Sequence, residues 1–235
     1  MLDPAVRGTT GILTAIKKNA PNVKRVAITS SFASITNPGN HPKVYNEEIW
    51  NPMTMEEALK TTDPLVVYRG SKKFAEKAAW DFVKTEKPNF QLTTLNPPLV
   101  FGPVVHYLNS LENINTSNMR ILNLIQGKKQ LGQTGASIWV DVRDVALAHV
   151  RAIEVPEAAG KRFFITAGHF SDADIANIIR DSFPDLASKP PVDLKITKAE
   201  YEVDNSCSVR ILGLQYRTLK ECVVDTVESL RQIGA

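Results

Sequence analysis

Apolar positions along the chain change period several times, and each change marks an element. Residues 4–19 repeat at helical spacing, which predicts a helix with Val6, Ile12, Leu13 and Ile16 inward and Pro4 in its first turn. Asn19-Ala20-Pro21-Asn22 breaks it. Arg25–Thr29 is a short apolar run with β-branched residues, expected as a buried strand of a parallel sheet. Residues 32–63 read as irregular, with a turn at Asn37-Pro38-Gly39-Asn40 and a short helix over Met55–Leu59. A long helix is expected over 65–85, its inner stripe formed by Phe74, Ala75, Ala78, Ala79 and Phe82. Gln91–Leu95 follows as a strand. Asn96-Pro97-Pro98 ends it, because proline has no N–H for the ladder.

Beyond Pro98 the pattern predicts a helix over 117–127, a strand over Ser137–Val140 and a helix from Asp141 to Ile153. A strand follows over Arg162–Thr166, then a helix over Ser171–Phe183 with Ser171 as N-cap and Asp174 three residues on. Pro184–Pro191 reads as a loop and Thr218–Ile233 as a final helix. Strands alternating with helices give the βαβ rhythm of an α/β, doubly wound parallel sheet.

The length of 235 residues suits one domain or one with a small lobe. A net charge of +3 without a Lys/Arg block argues against nucleic acid as a partner. No apolar run approaches the roughly 20 residues of a membrane helix, and the N-terminus shows no secretory signal pattern. Two cysteines make no disulfide framework, which points to a reducing, cytoplasmic setting. The four histidines have no metal-ligand spacing, so no metal site is expected.

Candidate chemistry begins at Tyr68, followed four residues later by Lys72. On a helix those positions share a face. The ammonium favours the phenolate, so the phenol more readily gives up its proton. The same ammonium can donate to ribose hydroxyls. The spacing alone is common: Tyr216 and Lys220 repeat it, but there the tyrosine precedes the helix that Thr218 caps. Tyr68 instead lies inside a helical pattern, downstream of a strand that ends in Thr29-Ser30-Ser31. Ligands of open α/β sheets sit beyond such strand ends. A serine there can bond a substrate carbonyl, or simply cap a turn. Phe32, Val105, Tyr107 and Trp139 are candidates for a substrate cavity or for core; His106 reads as a surface histidine, and Asp141 and Asp144 as the charged start of a helix.

Together, Thr29-Ser30-Ser31, Tyr68 and Lys72 with Lys73-Phe74-Ala75-Glu76, Asn96–Pro103, Asp141-Val142-Arg143-Asp144-Val145-Ala146 with His149, and Asp3-Pro4-Ala5-Val6 with Gly8-Thr9 resemble the extended short-chain dehydrogenase/reductases. The nearest subgroups are the fungal methylglyoxal and ketone reductases and the plant dihydroflavonol and cinnamoyl-CoA reductases. The resemblance implies a soluble enzyme that reduces an aldehyde or ketone with NADPH, NAD being left open. Ser31 would hold the substrate oxygen, Tyr68 would protonate it, and Lys72 would hold the nicotinamide ribose. Pro97, Leu99 and Val100 would line the nicotinamide, and Ser117 would reach the cofactor phosphates. The expected architecture is a truncated Rossmann-like sheet over residues 1–103 and a small α/β substrate lobe over 104–235. Within the latter, 137–140, 141–153 and 162–166 are candidates to return to the cofactor domain.

The family's glycine-rich phosphate loop is not found. Gly8-Thr9-Thr10-Gly11 lies inside a helical pattern, and Gly132-Gln133-Thr134-Gly135 follows no strand-like run. The sequence therefore reads as starting after the first half of the dinucleotide fold, with the Ser30-Ser31 strand exposing an edge. Two other readings stay open at this point: a non-catalytic fragment, and a sugar-nucleotide epimerase or dehydratase.

Overall fold

In the computed structural model, which describes residues 2–128, 137–196 and 199–235, helix α1 (Leu2–Asn19) leads into strand β1 (Arg25–Thr29). The chain continues through β2 (Val44–Tyr45), α2 (Met55–Lys60), α3 (Pro64–Glu86), β3 (Gln91–Asn96) and β4 (Leu99–Phe101). Then come α4 (Thr116–Ile125), β5 (Ile138–Asp141), α5 (Val142–Glu154), β6 (Arg162–Phe164), β7 (Gly168–His169) and α6 (Asp172–Ser182). The last elements are β8 (Glu202–Val203), α7 (Ser206–Leu212) and α8 (Leu219–Gln232). The Gly132–Gly135 stretch lies outside the described residues.

Two compact units share these elements. The first comprises residues 1–98, 147–165 and 201–214, the second 99–146, 166–200 and 215–235. In the first, β1, β3 and β6 form a parallel sheet in that order, with Arg25 opposite Gln91 and Thr94 opposite Arg162. β1 has β3 as its one neighbour among the described residues, and four of its five residues are half-buried. Among the described residues it is thus an edge strand, rather than the fully buried one its apolar run suggested. Edge position is set by pairing, which hydropathy does not encode.

Helix α1 turns Leu13 inward but leaves Ile12 58% exposed, against the expected inward set. The two neighbours differ by about 100° around the axis, so one stripe cannot hold both. Leu13 joins Ala79, Phe90 and Leu92 in the core of this unit. The inner face of α3 also differs from expectation: Gly70, Ser71, Glu76 and Ala79 are its buried residues, while Phe74, Ala75, Ala78 and Phe82 are half-buried. Asp63 caps α3 by accepting from the Leu65 and Val66 N–H groups, and Pro64 occupies the first turn. Gly70 permits close approach of α2, since a Cβ there would lie 2.8 Å from the Ala58 Cβ.

In the second unit β4 and β5 run parallel and β7 joins β5 antiparallel. Its core gathers Phe101, Ile121, Leu124, Trp139, Ile175, Ile179, Val223 and Val227. The capping boxes foreseen at Ser171/Asp174 and built at Thr218/Glu221 start α6 and α8. Tyr216 precedes α8, off the Lys220 face as expected.

Candidate functional site

The parallel ladder carries β1 and β3 to a common end. Ser30 N–H donates to the Leu95 carbonyl at 2.8 Å, and Phe32 N–H to the Pro97 carbonyl at 2.9 Å. Ser31 is thereby held at the carboxyl end of the sheet, where open α/β folds place ligands. Its Oγ accepts from the Ala33 N–H at 3.1 Å and caps a single 3-10 turn, Phe32–Ser34.

Tyr68, in the second turn of α3, reaches the same place. Its hydroxyl lies 3.5 Å from Ser31 Oγ, and the residue is 41% exposed. That separation exceeds the roughly 2.7–2.8 Å of a good O–H···O bond. The contact is thus a long, weak hydrogen bond, and both hydroxyls keep capacity to bond a third oxygen. Lys72, one turn further along α3, is half-buried and has no hydrogen-bond or ion-pair partner among the described residues.

Ser30 serves a different purpose from its neighbour. It is buried, and its Oγ donates to Glu76 Oε2 at 2.5 Å. Glu76, two turns beyond Tyr68, also accepts from Ser34 Oγ at 2.5 Å and Asn96 Nδ2 at 2.7 Å. On its other oxygen it accepts from Thr94 Oγ1 at 2.9 Å and Arg162 Nε at 2.7 Å. Burial works to raise this carboxyl's pKa, but the Arg162 charge and hydrogen bond and the serine hydroxyls outweigh it, and the net shift is downward. Arg162 stacks on Trp50, 3.7 Å from the ring centroid, and donates to the Glu47 and Ile49 carbonyls.

This glutamate was not singled out from the sequence. The signal was there: Tyr68, Lys72 and Glu76 are spaced i, i+4, i+8, and a charge inside a stripe of alanines needs a buried partner. That Asn96 and Arg162 meet Glu76 had no local signal, because only strand pairing brings them there. His149, part of the family pattern, has its Nε2 2.7 Å from Thr29 Oγ1, a contact the sequence did not foretell.

The residues expected to line a cofactor fall in both units. Pro97 is a buried residue of the first. In the second, Ser117 Oγ accepts from the Val100 N–H at 3.2 Å, and Asn115 Nδ2 donates to the Val100 carbonyl at 3.4 Å. Leu99 pairs with Trp139 across β4 and β5. Ser117 is thus committed to Val100 rather than to the helix cap, which is Asn115. Of the cavity candidates, Phe32 and Trp139 are buried core residues, Phe32 stacking on Phe164 and Trp139 on Phe101. Val105 and Tyr107 stand 91% and 87% exposed, and His106 is exposed. Asp141 accepts from the Arg143 N–H at 2.8 Å at the start of α5, while Asp144 is buried and accepts from the Arg217 N–H at 2.9 Å.

A family model described as the NAD dependent epimerase/dehydratase family matches residues 1–166. The chain belongs to that family. A ketoreductase of Aspergillus niger, azaE, is 49% identical over 235 residues, covering 97% of this chain and 69% of the relative. The NADPH-dependent methylglyoxal reductase GRE2 of Saccharomyces cerevisiae is 36% identical, over 98% of this chain and 70% of its own length. A crystal structure of the yeast methylglyoxal/isovaleraldehyde reductase Gre2 complexed with NADPH superposes with a TM-score of 0.88 at 34% identity, covering 99% of this chain and 71% of that one. The Rossmann-like α/β fold expected from the sequence is the fold of these reductases.

Proposed function

We propose that this chain is an NADPH-dependent reductase of small aldehydes or ketones, acting in a reducing, cytoplasmic compartment. The observation that carries the reading is the weakly paired hydroxyls of Tyr68 and Ser31, with Lys72, which has no partner among the described residues, one helical turn away. The names of the relatives support carbonyl reduction over sugar-nucleotide chemistry, and their likeness along nearly the whole chain supports an enzyme over an inert fragment. Cys207 and Cys222 are free thiols, which suits a reducing setting.

Half-buried and without a partner among the described residues, the Lys72 ammonium fits the ribose end of a nicotinamide nucleotide. We assign Lys72 to the ribose hydroxyls, Pro97, Leu99 and Val100 to the nicotinamide surroundings, and Ser117 to the phosphate side. NADPH, when bound, supplies the hydride. The protein's own residues do the rest. Ser31 Oγ donates to the carbonyl oxygen and orients it. Tyr68 donates the second hydrogen bond and delivers its proton as negative charge grows on that oxygen. Lys72 stabilises the phenolate that remains.

Purified chain mixed with NADPH and methylglyoxal should consume the nicotinamide absorbance. Tyr68→Phe should lower kcat by about 10²–10⁴-fold, the usual weight of a positioned proton donor. An unchanged rate in that variant would defeat the mechanism. Calorimetric titration with NADPH should give binding that weakens in Lys72→Ala.

A further inference from the structure

Glu76 is 2% exposed, yet it holds a carboxylate where an apolar side chain would pack α3 on the sheet without desolvating a charge. What an apolar residue cannot do is accept hydrogen bonds. Six donor groups face Glu76: Ser30, Ser34 and Asn96 on one oxygen, and Thr94, Arg162 and its own helix's Trp80 on the other, the single Ser34 proton being shared between Glu76 and the Ser31 carbonyl. These donors come from the ends of β1, β3 and β6 and from the turn after β1.

Two of them also fix Ser31. Ser34 Oγ lies 2.8 Å from the Ser31 carbonyl, and Asn96 Nδ2 lies 3.3 Å from it and 2.8 Å from Ser34 Oγ. Asn96 donates one proton to the carboxylate and one to Ser34 Oγ, which can then donate to the Ser31 carbonyl, so the carboxylate is linked to the backbone of the serine through this relay. It is also covalently part of the helix that carries Tyr68 and Lys72.

We propose that Glu76 is a positioning residue for carbonyl reduction: through Asn96 and Ser34 it sets the Ser31 backbone, so that the Ser31 hydroxyl meets the same substrate oxygen as Tyr68 on Glu76's own helix. The inference rests on the reductase reading above. Glutamine at this position keeps the shape but replaces one acceptor oxygen by a donor, which faces donors already there.

The test is steady-state reduction of methylglyoxal by the full chain and its variants, with folding checked by circular dichroism. Glu76→Gln should lower kcat by about 10- to 100-fold, the scale of a misplacement near 1 Å, with KM for NADPH held within about 3-fold. In a Ser31→Ala background the same substitution should lower kcat by no more than about 3-fold further, because its target is already gone. A folded Glu76→Gln protein with unchanged kcat overturns the proposal, and so does an equal loss in both backgrounds. If Glu76→Gln does not fold, Ser34→Ala carries the test: a kcat loss of about 3- to 10-fold that does not compound with Ser31→Ala is expected, and an unchanged kcat overturns it. An unsubstituted chain that reduces nothing sinks the reductase reading and this inference with it. An active chain indifferent to Glu76→Gln sinks the inference alone.

Discussion

Each unit buries carboxylates, but the two do so for different ends. In the first, Glu76 gathers donors from three strand ends and a turn, and its net shift favours the charged form. In the second, Asp141 and Asp144 flank the start of α5. Arg143 donates to Asp141 and, at 2.5 Å, to Asp225 of α8; Arg217 donates to Asp144. Burial works to raise the Asp141 carboxyl, yet the Arg143 hydrogen bonds bring it below its usual range. For Asp144 burial wins and the shift is upward, because Arg217 remains partly exposed and Asp141 is a like charge nearby. Burial and the Asp141 charge also push the Cys222 thiol up, so it stays protonated and inert. Fastening two helices tolerates a poorly compensated acid. Aligning two hydroxyls from separate elements demands one whose every lone pair is used.

The widest gap between the regions should come from removing the acid outright. Glu76→Ala leaves the Arg162 guanidinium buried without its carboxylate, and should destabilise by about 3–5 kcal/mol in urea unfolding. A loss below 1 kcal/mol, on the order of an exposed pair, would erase the distinction.

Acid titration of stability gives a contrast of sign. Glu76 has a folded pKa below its unfolded one, so its contribution is present above the ordinary carboxylate range and is lost as pH falls through the depressed value. Asp144 is raised, so its contribution is present at low pH and is lost as pH rises through the raised value. Melting temperatures of Glu76→Gln and Asp144→Asn, each against the unsubstituted chain from about pH 7 to about pH 3, should therefore diverge in trend. The Glu76→Gln deficit should shrink on acidification while the Asp144→Asn protein loses ground. Parallel curves would mean that the two acids are equivalent.

The smallest expected effect lies at the start of α8, the helix that brings Asp225 to Arg143. Thr218→Ala removes the hydroxyl that both accepts from the Glu221 N–H and donates to its carboxylate. It should lower stability by about 1 kcal/mol in urea unfolding and leave kcat untouched. A fall in kcat would tie this helix to the chemistry.

Much of the fold was legible from local pattern. Helices α3, α6 and α8 fell where period and caps put them, and no helix among the described residues is long and apolar enough to cross a membrane. Site residues were legible where they share one helix face, as Tyr68 and Lys72 do. Phe32 and Trp139 illustrate the limit: an aromatic side chain looks alike in a cavity and in a core until its neighbours are known.

Sequence by itself determined the elements, the family resemblance and the tyrosine–lysine spacing, because periodicity, capping and motif order are properties of neighbouring residues. Only the tertiary structure decided that Ser30 turns to Glu76 while Ser31 lies opposite Tyr68, that Phe32 and Trp139 are core, and that Glu76 lies beside Asn96 and Arg162. Those facts depend on which strands pair and in what register. A register shift of one residue would turn every one of those side chains to the opposite face.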